Sequence, residues 1–591
     1  MLLPEFAYAG MEHAGASFLR EDSVLFVAEP GQEDLLRRAQ LIFHEAAHQW
    51  FGDLVTMRWF DDLWLKEGFA SLMAHEAACA LLPEIDARIA WHRSKELAYE
   101  TDATEGTTPV RRPLANLALA KSTYGNVVYH KAPAVLQLAE SLLGEQVFRE
   151  AIRTFLARHA WAVVDWTDLV GALERASERS LREWAGDWIL QAGMPCIECV
   201  WHTDAAGRIA SLALVQTAAR PGSDGAAAGW SQRLAVALGS GPRVTRTIEA
   251  VSIPGTLRLD DAAGLPAPDW VFANAGDCGY GWFALDARSR VFMLLHLPDI
   301  EDGFLRALLW DALWQAVRDA EVAPRAWIDT ALRGLRRERD ALTVAALLGA
   351  LQRALRWYVD DAGRDAVQPR VESVLRETML TQDTAALRIA SFRAYASVVR
   401  SARGRDDCVA LLEGDLAIPQ VGLRTADRFR LVRALLALGD GRGETWLDRL
   451  AREGGDDARR MALAAAAARP DAASKAAVFA RLLDSALPER WVEEAAAAFN
   501  VVEHEAATLA HLEPALRSLP RLVRERRIFF VGGQRSAAAC AVVERALREA
   551  ALPDALQRKL LEAHDALARC ARIRARFASG DSHGTPAAPA A

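Results

Sequence analysis

The chain has 591 residues, of which 51% are hydrophobic and 25% are charged, and its formal net charge at pH 7 is −8. This composition is typical of a soluble globular protein of about three or four domains. The negative charge argues against nucleic acid as a main partner, and no apolar run reaches the roughly 18 residues of a membrane span. Seven cysteines, an odd number spread along the chain, favour reduced thiols in the cytoplasm over a disulfide framework.

The first predicted elements are extended strands over residues 4–31. This segment, PEFAYAGMEHAGASFLREDSVLFVAEPG, is rich in aromatic and β-branched residues and ends at a Pro-Gly turn signal. It contains Glu12, which, considered alone, would most often be a solvated surface charge.

The next predicted element is a helix from about Glu33 to Phe51 that carries HEAAH at positions 44–48. His44 and His48 lie one turn apart on the same face of such a helix, because side chains at i and i+4 are neighbours. Two imidazoles at this spacing predict a metal site. Glu45 points away from that direction, so its carboxylate is predicted to act as a base toward water at the metal and not as a ligand.

The third metal ligand is predicted to come from a second helix that begins after Asp61 and Asp62, both favourable N-cap residues. A short connection and an antiparallel helix would bring Glu67 back to the two histidines. His75 is the rival ligand, but it lies roughly 12 Å further along the helix axis. Only one of the two can join the site, and Glu67 is preferred.

A family resemblance rests on GMEHAG at residues 10–15 together with HEAAH and the downstream Glu67. The chain resembles the M1 family of zinc aminopeptidases, which carry a GxMEN-type motif before HExxH and a later Glu. The resemblance implies one Zn²⁺ and a substrate segment that includes Gly10, Met11 and Glu12. Glu12 would bind the free α-amine of a peptide, since an ammonium in a partly dry cleft needs a carboxylate partner. His13 stands where the family usually has Asn.

The tyrosine of the family is matched by Tyr129, in YHKA. The resemblance implies that its phenol stabilises the negative oxygen that forms when a peptide carbonyl is attacked. Tyr124 is an open alternative, because spacing alone does not reject it. Ala132 replaces the usual Gly after this motif.

The predicted fold is multidomain α+β and mostly α. It comprises a thermolysin-like catalytic domain at 1–194, a small β-sandwich at 195–295, a solenoid-like α-helical domain at 296–577 and a disordered tail at 578–591. Short alternating runs indicate the strands, helical periodicity indicates the third domain, and low apolar content indicates the tail. Cys196 and Cys199 form a lone CxxC in a predicted strand, where they would face opposite sides and serve no metal.

Relatives of this type carry a β-rich domain before the GxMEN motif, so the sequence is expected to be truncated or to start late. The predicted function is zinc-dependent hydrolysis of the first peptide bond of peptides with a free N-terminus. Two alternatives stay open: a catalytically impaired fragment that acts as a binding protein, and a related zinc hydrolase that cleaves another bond. Glu12 argues against an endopeptidase, and the oligomeric state is not predicted.

Overall fold

The computed structural model describes residues 1–578 except residues 5, 27–29, 118, 119, 121, 122, 221–228, 485, 519–528 and 551. The chain divides into two compact units, Met1–Gln315 and Ala316–Ala591. Among the described residues, no helix is both long enough and apolar enough to cross a bilayer. The predicted tail falls, from residue 579 onward, outside the described residues.

The first unit begins with a three-stranded sheet in the order β1-β3-β2. Its strands are β1 (Leu2–Leu3), β2 (Gly10–Met11) and β3 (Phe18–Arg20). β2 runs antiparallel to β3 and carries the GxMEN-like segment, while a short helix α1 (Glu21–Val24) follows β3. The segment predicted as extended is therefore only partly strand.

The helices of the first unit pack around a core that contains Trp64, Phe69 and Trp188, each at most 1% exposed. Two short strands, β4 (Val55–Met57) and β5 (Ala162–Val164), pair in parallel. The α-helices are α2 (Gln32–Ala47), α3 (Trp64–Leu81), α4 (Ala87–Asp102), α5 (Ala132–Leu143), α6 (Glu145–Arg158), α7 (Trp166–Ser177) and α8 (Arg182–Ala185), with π-helical turns at Val127–Lys131 and Gly186–Leu190.

Two small sheets follow in the first unit, with orders β10-β7-β6-β12 and β11-β8-β9. Ser252 of β9 donates a hydrogen bond to Gln216 of β7 at 2.8 Å, so the two sheets are in contact. The strands are β6 (Pro195–Thr203), β7 (Ile209–Ala218), β8 (Gln232–Ser240), β9 (Arg243–Ser252), β10 (Gly255–Arg258), β11 (Trp270–Phe272) and β12 (Trp282–Ala284).

From Ala287 onward the regular elements of the described chain are helices. Asp, Ser and Thr side chains cap several N-termini, for example Asp340, Asp360 and Ser401, because their oxygens accept from backbone N–H groups that the helix leaves unpaired. The helices are α9 (Ala287–His296), α10 (Gly303–Arg318), α11 (Pro324–Arg337), α12 (Ala341–Arg353), α13 (Asp361–Thr381), α14 (Ala385–Val398), α15 (Ala402–Glu413), α16 (Thr425–Ala437), α17 (Arg442–Arg452), α18 (Asp456–Ala467), α19 (Ala472–Leu482), α20 (Glu489–Phe499), α21 (Glu505–Ser518), α22 (Ala537–Glu549) and α23 (Asp554–Arg576).

The multidomain, mostly α fold class is confirmed, whereas the three domain boundaries stay a prediction. Two local predictions are wrong. The helix expected to reach Phe51 ends at Ala47, and Asp61 and Asp62 do not cap α3, which begins after Leu63 without a side-chain cap. Asp61 instead accepts hydrogen bonds from the backbone N–H of Leu114, so a tertiary contact uses the carboxylate that sequence reasoning assigned to the helix end.

Candidate metal centre

The centre is built where α2 packs against α3. His44 lies in the last turn of α2 and His48 directly follows the helix, but the N–H of His48 still bonds the carbonyl of His44 at 3.2 Å. The helical turn therefore continues far enough for the two imidazoles to face one point. Glu67, in the first turn of α3, extends its carboxylate to the same point and is only 4% exposed at the side chain.

The three candidate ligand atoms are separated as a tetrahedral metal requires. His44 Nε2 is 3.0 Å from His48 Nε2, and Glu67 Oε2 is 3.3 Å and 3.5 Å from these two nitrogens. Ligands bound to zinc at about 2.0–2.1 Å in a tetrahedron are about 3.3 Å apart. The three side chains fit a zinc ion without rearrangement of the backbone.

Hydrogen bonds orient the imidazoles toward the centre. His48 Nδ1 is 2.9 Å from the carbonyl oxygen of Phe51, so Nδ1–H donates there and Nε2 keeps its lone pair for a metal. His44 Nδ1 is 3.4 Å from Ser71 Oγ. Burial opposes the charge of Glu67, but its close contacts with His44 and His48 and the charge of Lys66 lower its pKa well below the usual value, so it is anionic.

The electrostatics of the two imidazoles differ. Burial lowers the pKa of His44, and Glu67 offsets this only in part, so His44 is neutral as a ligand requires. For His48, burial acts in the same direction, but hydrogen bonding to Glu67 and the charges of Glu67 and Glu12 raise its pKa above the ordinary value. A metal at the common point would replace the proton that this carboxylate environment otherwise favours on His48.

Glu45 lies beside the centre, where one of its carboxylate oxygens groups with His48 and Glu12 and not with His44 and Glu67. It is 5% exposed, and its Oε2 has no hydrogen-bond partner among the described residues. Burial raises the pKa of Glu45 to about 7, with Glu12 and Glu67 adding to the rise and His48 opposing it. Gly10 of β2 lies directly against this carboxylate: a Cβ there would be 2.1 Å from Glu45 Oε1, so a larger residue would have to push the carboxylate aside.

Glu12 lies beside the centre in an ion pair with Lys66, which the sequence analysis did not predict. Lys66 Nζ donates a hydrogen bond to Glu12 Oε1 and lies 3.3 Å from Glu67 Oε1. Burial opposes ionisation of Glu12, but Lys66 outweighs it and lowers the pKa below the usual value. Met11 is half-buried beside Glu12 on β2. The one signal in the sequence was a lysine directly before a ligand, in a chain that has few lysines.

Tyr129 reaches the centre from a π-helical turn, a distortion that often occurs at functional sites. Its ring lies 6.3 Å from that of His44 and 6.1 Å from that of Tyr124. Burial and the charge of Glu67 raise the pKa of Tyr129 far above its usual value, so the phenol keeps its proton and can donate.

A buried network that sequence reasoning also missed holds this turn. Lys131 Nζ is 2.8 Å from Asp102 Oδ2 and donates to the carbonyl of Gly193 at 2.6 Å. The hydroxyl of Tyr280 donates to Asp102 Oδ2 at 3.2 Å, and the N–H of Gly193 donates to Asp102 Oδ1 at 3.1 Å. Because every partner comes from a different part of the chain, the sequence gave no signal for it beyond the lysine two residues after Tyr129.

Of the rival candidates, His75 and the two cysteines lie away from the centre, whereas Tyr124 stays near it. His75 is buried and stacks on Trp91 at 4.4 Å between ring centroids, and it is not grouped with His44 and His48. Tyr124 is 38% exposed and lies close enough to Glu67 and Lys66 that their charges affect its pKa. Cys196 and Cys199 lie on β6, half-buried and buried respectively, and belong to no metal-ligand group of the described residues.

This arrangement, two histidines of an HExxH motif with a glutamate on the following helix, matches the ligand pattern typical of metallopeptidases. Comparison with known proteins agrees. Residues 1–188 match the model described as "Peptidase family M1 domain" and residues 270–569 match "ERAP1-like C-terminal domain". Residues 1–188 therefore belong to peptidase family M1.

Several curated proteins are similar to this chain. Aminopeptidase N of Streptomyces lividans is 31% identical over 533 residues, which are 88% of this chain and 62% of that protein. Leucyl aminopeptidase of Saccharolobus solfataricus is 30% identical over 202 residues, 33% of this chain and 25% of that protein. Puromycin-sensitive aminopeptidase of Caenorhabditis elegans is 29% identical over 304 residues, 50% of this chain and 31% of that protein. The chain thus spans less than two thirds of the length of these relatives.

Proposed function

We propose that this chain is a zinc-dependent aminopeptidase that releases the first residue of peptides with a free N-terminus. The convergence of His44, His48 and Glu67 at 3.0–3.5 Å, with a buried Glu45 beside them, carries the proposal. Names of the similar proteins support it, since each is called an aminopeptidase. Two imidazoles and one carboxylate suit zinc among the common divalent ions.

Zinc, when bound, supplies a Lewis acid that lowers the pKa of water to about 7. Glu45, whose pKa burial raises to about 7, would accept a proton from the attacking water on its carboxylate and return it to the departing amine. Tyr129 donates a hydrogen bond to the carbonyl oxygen as negative charge develops there. Glu12 holds the substrate ammonium, which fixes the scissile bond one residue from the N-terminus.

The Lys66–Glu12 pair adds a step to substrate binding. An ammonium already occupies the carboxylate that the substrate amine would use. The α-amine of a peptide therefore either displaces Lys66 or shares Glu12 with it, and part of the binding energy is spent on this exchange. Gly10 and Met11, on the same strand as Glu12, would line the segment along which the first residue lies.

Glu45→Gln tests the proposal. We expect the variant to keep its zinc and to lose turnover by roughly 10²–10⁴-fold, because an amide cannot accept the proton. Metal analysis and hydrolysis of a panel of aminoacyl p-nitroanilides measure the two properties, and Glu33→Gln, at the start of the same helix, serves as the matched control.

Free and N-acetylated peptides of the same sequence test the amine anchor. Cleavage of the free peptides alone supports an aminopeptidase, and equal rates on both would remove Glu12 from that role. Full activity of zinc-loaded Glu45→Gln would contradict the mechanism. A zinc-loaded wild-type chain inactive on every peptide would favour the binding-protein alternative.

A further inference from the structure

A second group of metal-ligand side chains lies in the first unit, away from the HExxH residues. His92 and Glu96 are one turn apart on α4, and Asp311 lies on α10. His92 Nε2 is 3.5 Å from Asp311 Oδ2 and 3.7 Å from Glu96 Oε1. One donor atom from each residue falls within 4.8 Å of the others, so the three converge on a common point.

His92 is oriented as a ligand and not merely buried. It is 7% exposed, and its Nδ1 is 3.0 Å from Asp277 Oδ1, so Nδ1–H donates to that carboxylate. This leaves Nε2 directed at Glu96 and Asp311, and Nε2 has no hydrogen-bond partner among the described residues. A carboxylate behind the outer nitrogen of an imidazole is the usual second contact of a metal-bound histidine.

The outer contact is itself held in place. Lys95 Nζ lies 2.8 Å from Asp277 Oδ1 and donates to the carbonyls of Asp277 and Gly279 at 2.7 Å and 2.9 Å. Lys95 is 1% exposed and balances the charge of Asp277. The imidazole is thus oriented by a buried ion pair of Asp277 and Lys95.

The charge at the inner side matches a divalent cation. With a neutral imidazole and both carboxyl groups ionised, His92, Glu96 and Asp311 carry −2. Without a cation, burial and the hydrogen bond with Asp311 raise the pKa of Glu96 well above its usual value, against the charges of His92 and Arg93, so the two carboxyl groups hold a proton that a bound metal ion would replace. Donor atoms around zinc at about 2.0–2.2 Å are about 3.3 Å apart, so the separations of 3.5 Å and 3.7 Å from His92 Nε2 need to contract by only a few tenths of an ångström. The side chains of Glu96 and Asp311 are 30% and 24% exposed, which gives an ion a path from solvent.

We propose that His92, Glu96 and Asp311 form a second site for a divalent transition-metal ion, with Asp277 as the partner that orients His92. One imidazole and two carboxylates suit Zn²⁺ or Mn²⁺. The site joins α4 to α10, so an ion there would act as a structural cross-link of the first unit. The competing arrangement is an imidazolium: burial disfavours the charge on His92, but Asp277 and Asp311 outweigh it and raise its pKa to about 10.

Zinc stoichiometry of the full chain decides between these arrangements. After chelation and equilibrium dialysis at fixed free Zn²⁺, we expect two zinc ions per wild-type chain and one in Glu96→Gln/Asp311→Asn. In a His44→Ala/His48→Ala background we expect one zinc to remain and to be lost when the two cluster substitutions are added. Co²⁺ in that background should give visible d–d absorption, and competition with Mn²⁺ then identifies the preferred ion.

Glu84→Gln is the matched control, since Glu84 is exposed just before α4 and its substitution makes the same chemical change as Glu96→Gln. It should keep both ions. One zinc per wild-type chain, or none in the His44→Ala/His48→Ala chain with unchanged circular dichroism, would overturn the second site and leave the imidazolium. Because metal content and not turnover is measured, this result is independent of whether the chain proves to be an aminopeptidase.

Discussion

At the scale of single residues, Lys66 is the residue that most changes the expectation drawn from the motif. The HExxH pattern and Glu12 predict an open carboxylate waiting for a substrate amine, yet the structure pairs that carboxylate with a lysine that also contacts Glu67. Lys66 is only 15% exposed at its side chain, so solvent screens this pair little. The affinity for substrate should therefore depend on Lys66.

Lys66→Asn should lower KM for aminoacyl substrates by roughly tenfold, because a charge-assisted hydrogen bond that competes with the substrate amine is removed. Steady-state kinetics gives KM and kcat, and metal analysis checks that Glu67 still binds zinc. Lys559→Asn, at an exposed lysine, is the control. A raised KM would show that Lys66 helps to hold the substrate instead of competing with it.

The two tyrosines near the centre are separated by their expected effects on turnover. Tyr129→Phe should lower kcat by roughly 10²–10³-fold with little change in KM, because its hydroxyl is needed only as the carbonyl oxygen becomes negative. Tyr124→Phe should stay within a few-fold of wild type. Parallel kinetics on both variants is the measurement, and a large loss in Tyr124→Phe alone would transfer the role to Tyr124.

At the scale of elements, the close approach of α3 to α5 brings Glu67 and Tyr129 to one centre. Gly68, directly after Glu67, makes this approach possible: a Cβ at Gly68 would lie 3.2 Å from the Cβ of Ala132, at the start of α5. Gly68 on α3 faces Ala132 on α5, so the absence of larger side chains lets the two helices approach closely. This close approach places Glu67 and Tyr129 near each other.

Gly68→Val should destabilise the first unit by about 1–3 kcal/mol, because the added side chain meets Ala132 and Leu136 in a packed core. Gly171→Val is the matched control on another helix, where the nearest atom is the flexible end of Arg175. Thermal and urea unfolding of both variants measures the difference. Equal stability of the two would show that the helices separate without cost.

In the second unit, Lys475 joins the ends of two helices. Its Nζ is buried and donates to the carbonyls of Ala467 and Phe499, the last residues of α18 and α20, at 2.9 Å and 2.8 Å. Cations near helix C-termini are favourable, but burial costs more here and lowers the pKa of Lys475 to about 8.

This lowered pKa predicts a pH dependence of stability. Between about pH 8 and pH 10.5 the unfolded chain holds a proton on Lys475 that the folded chain has lost, so the free energy of unfolding should rise with pH, by about 3 kcal/mol in total. Below pH 8 this contribution should be flat. Urea unfolding across this range measures it, and the rise should vanish in Lys475→Met and persist in Lys559→Met. A rise that persists in Lys475→Met would assign the pH dependence to other groups.

At the scale of the whole molecule, the sequence predicts the fold class better than the exact ends of the helices. Strand patterns between about residues 195 and 285 and helical periodicity afterward correspond to the elements observed, because alternating and 3.6-residue periods are local properties. The predicted end of α2 was a few residues too late, and the predicted N-caps of α3 were wrong. Asp61 does not cap α3 because it accepts a hydrogen bond from the distant backbone N–H of Leu114.

The candidate metal-ligand set could be predicted from the sequence itself, since helical geometry places His44 and His48 on one face and Glu67 follows at a spacing that one helical hairpin can close. Tertiary structure alone decided the rest. It paired Lys66 with Glu12, fixed the turn of Tyr129 through Asp102 and Lys131, and brought Asp311 to His92 and Glu96 from far along the chain. Contacts between residues so distant in sequence depend on how the helices pack, and no local pattern encodes that packing.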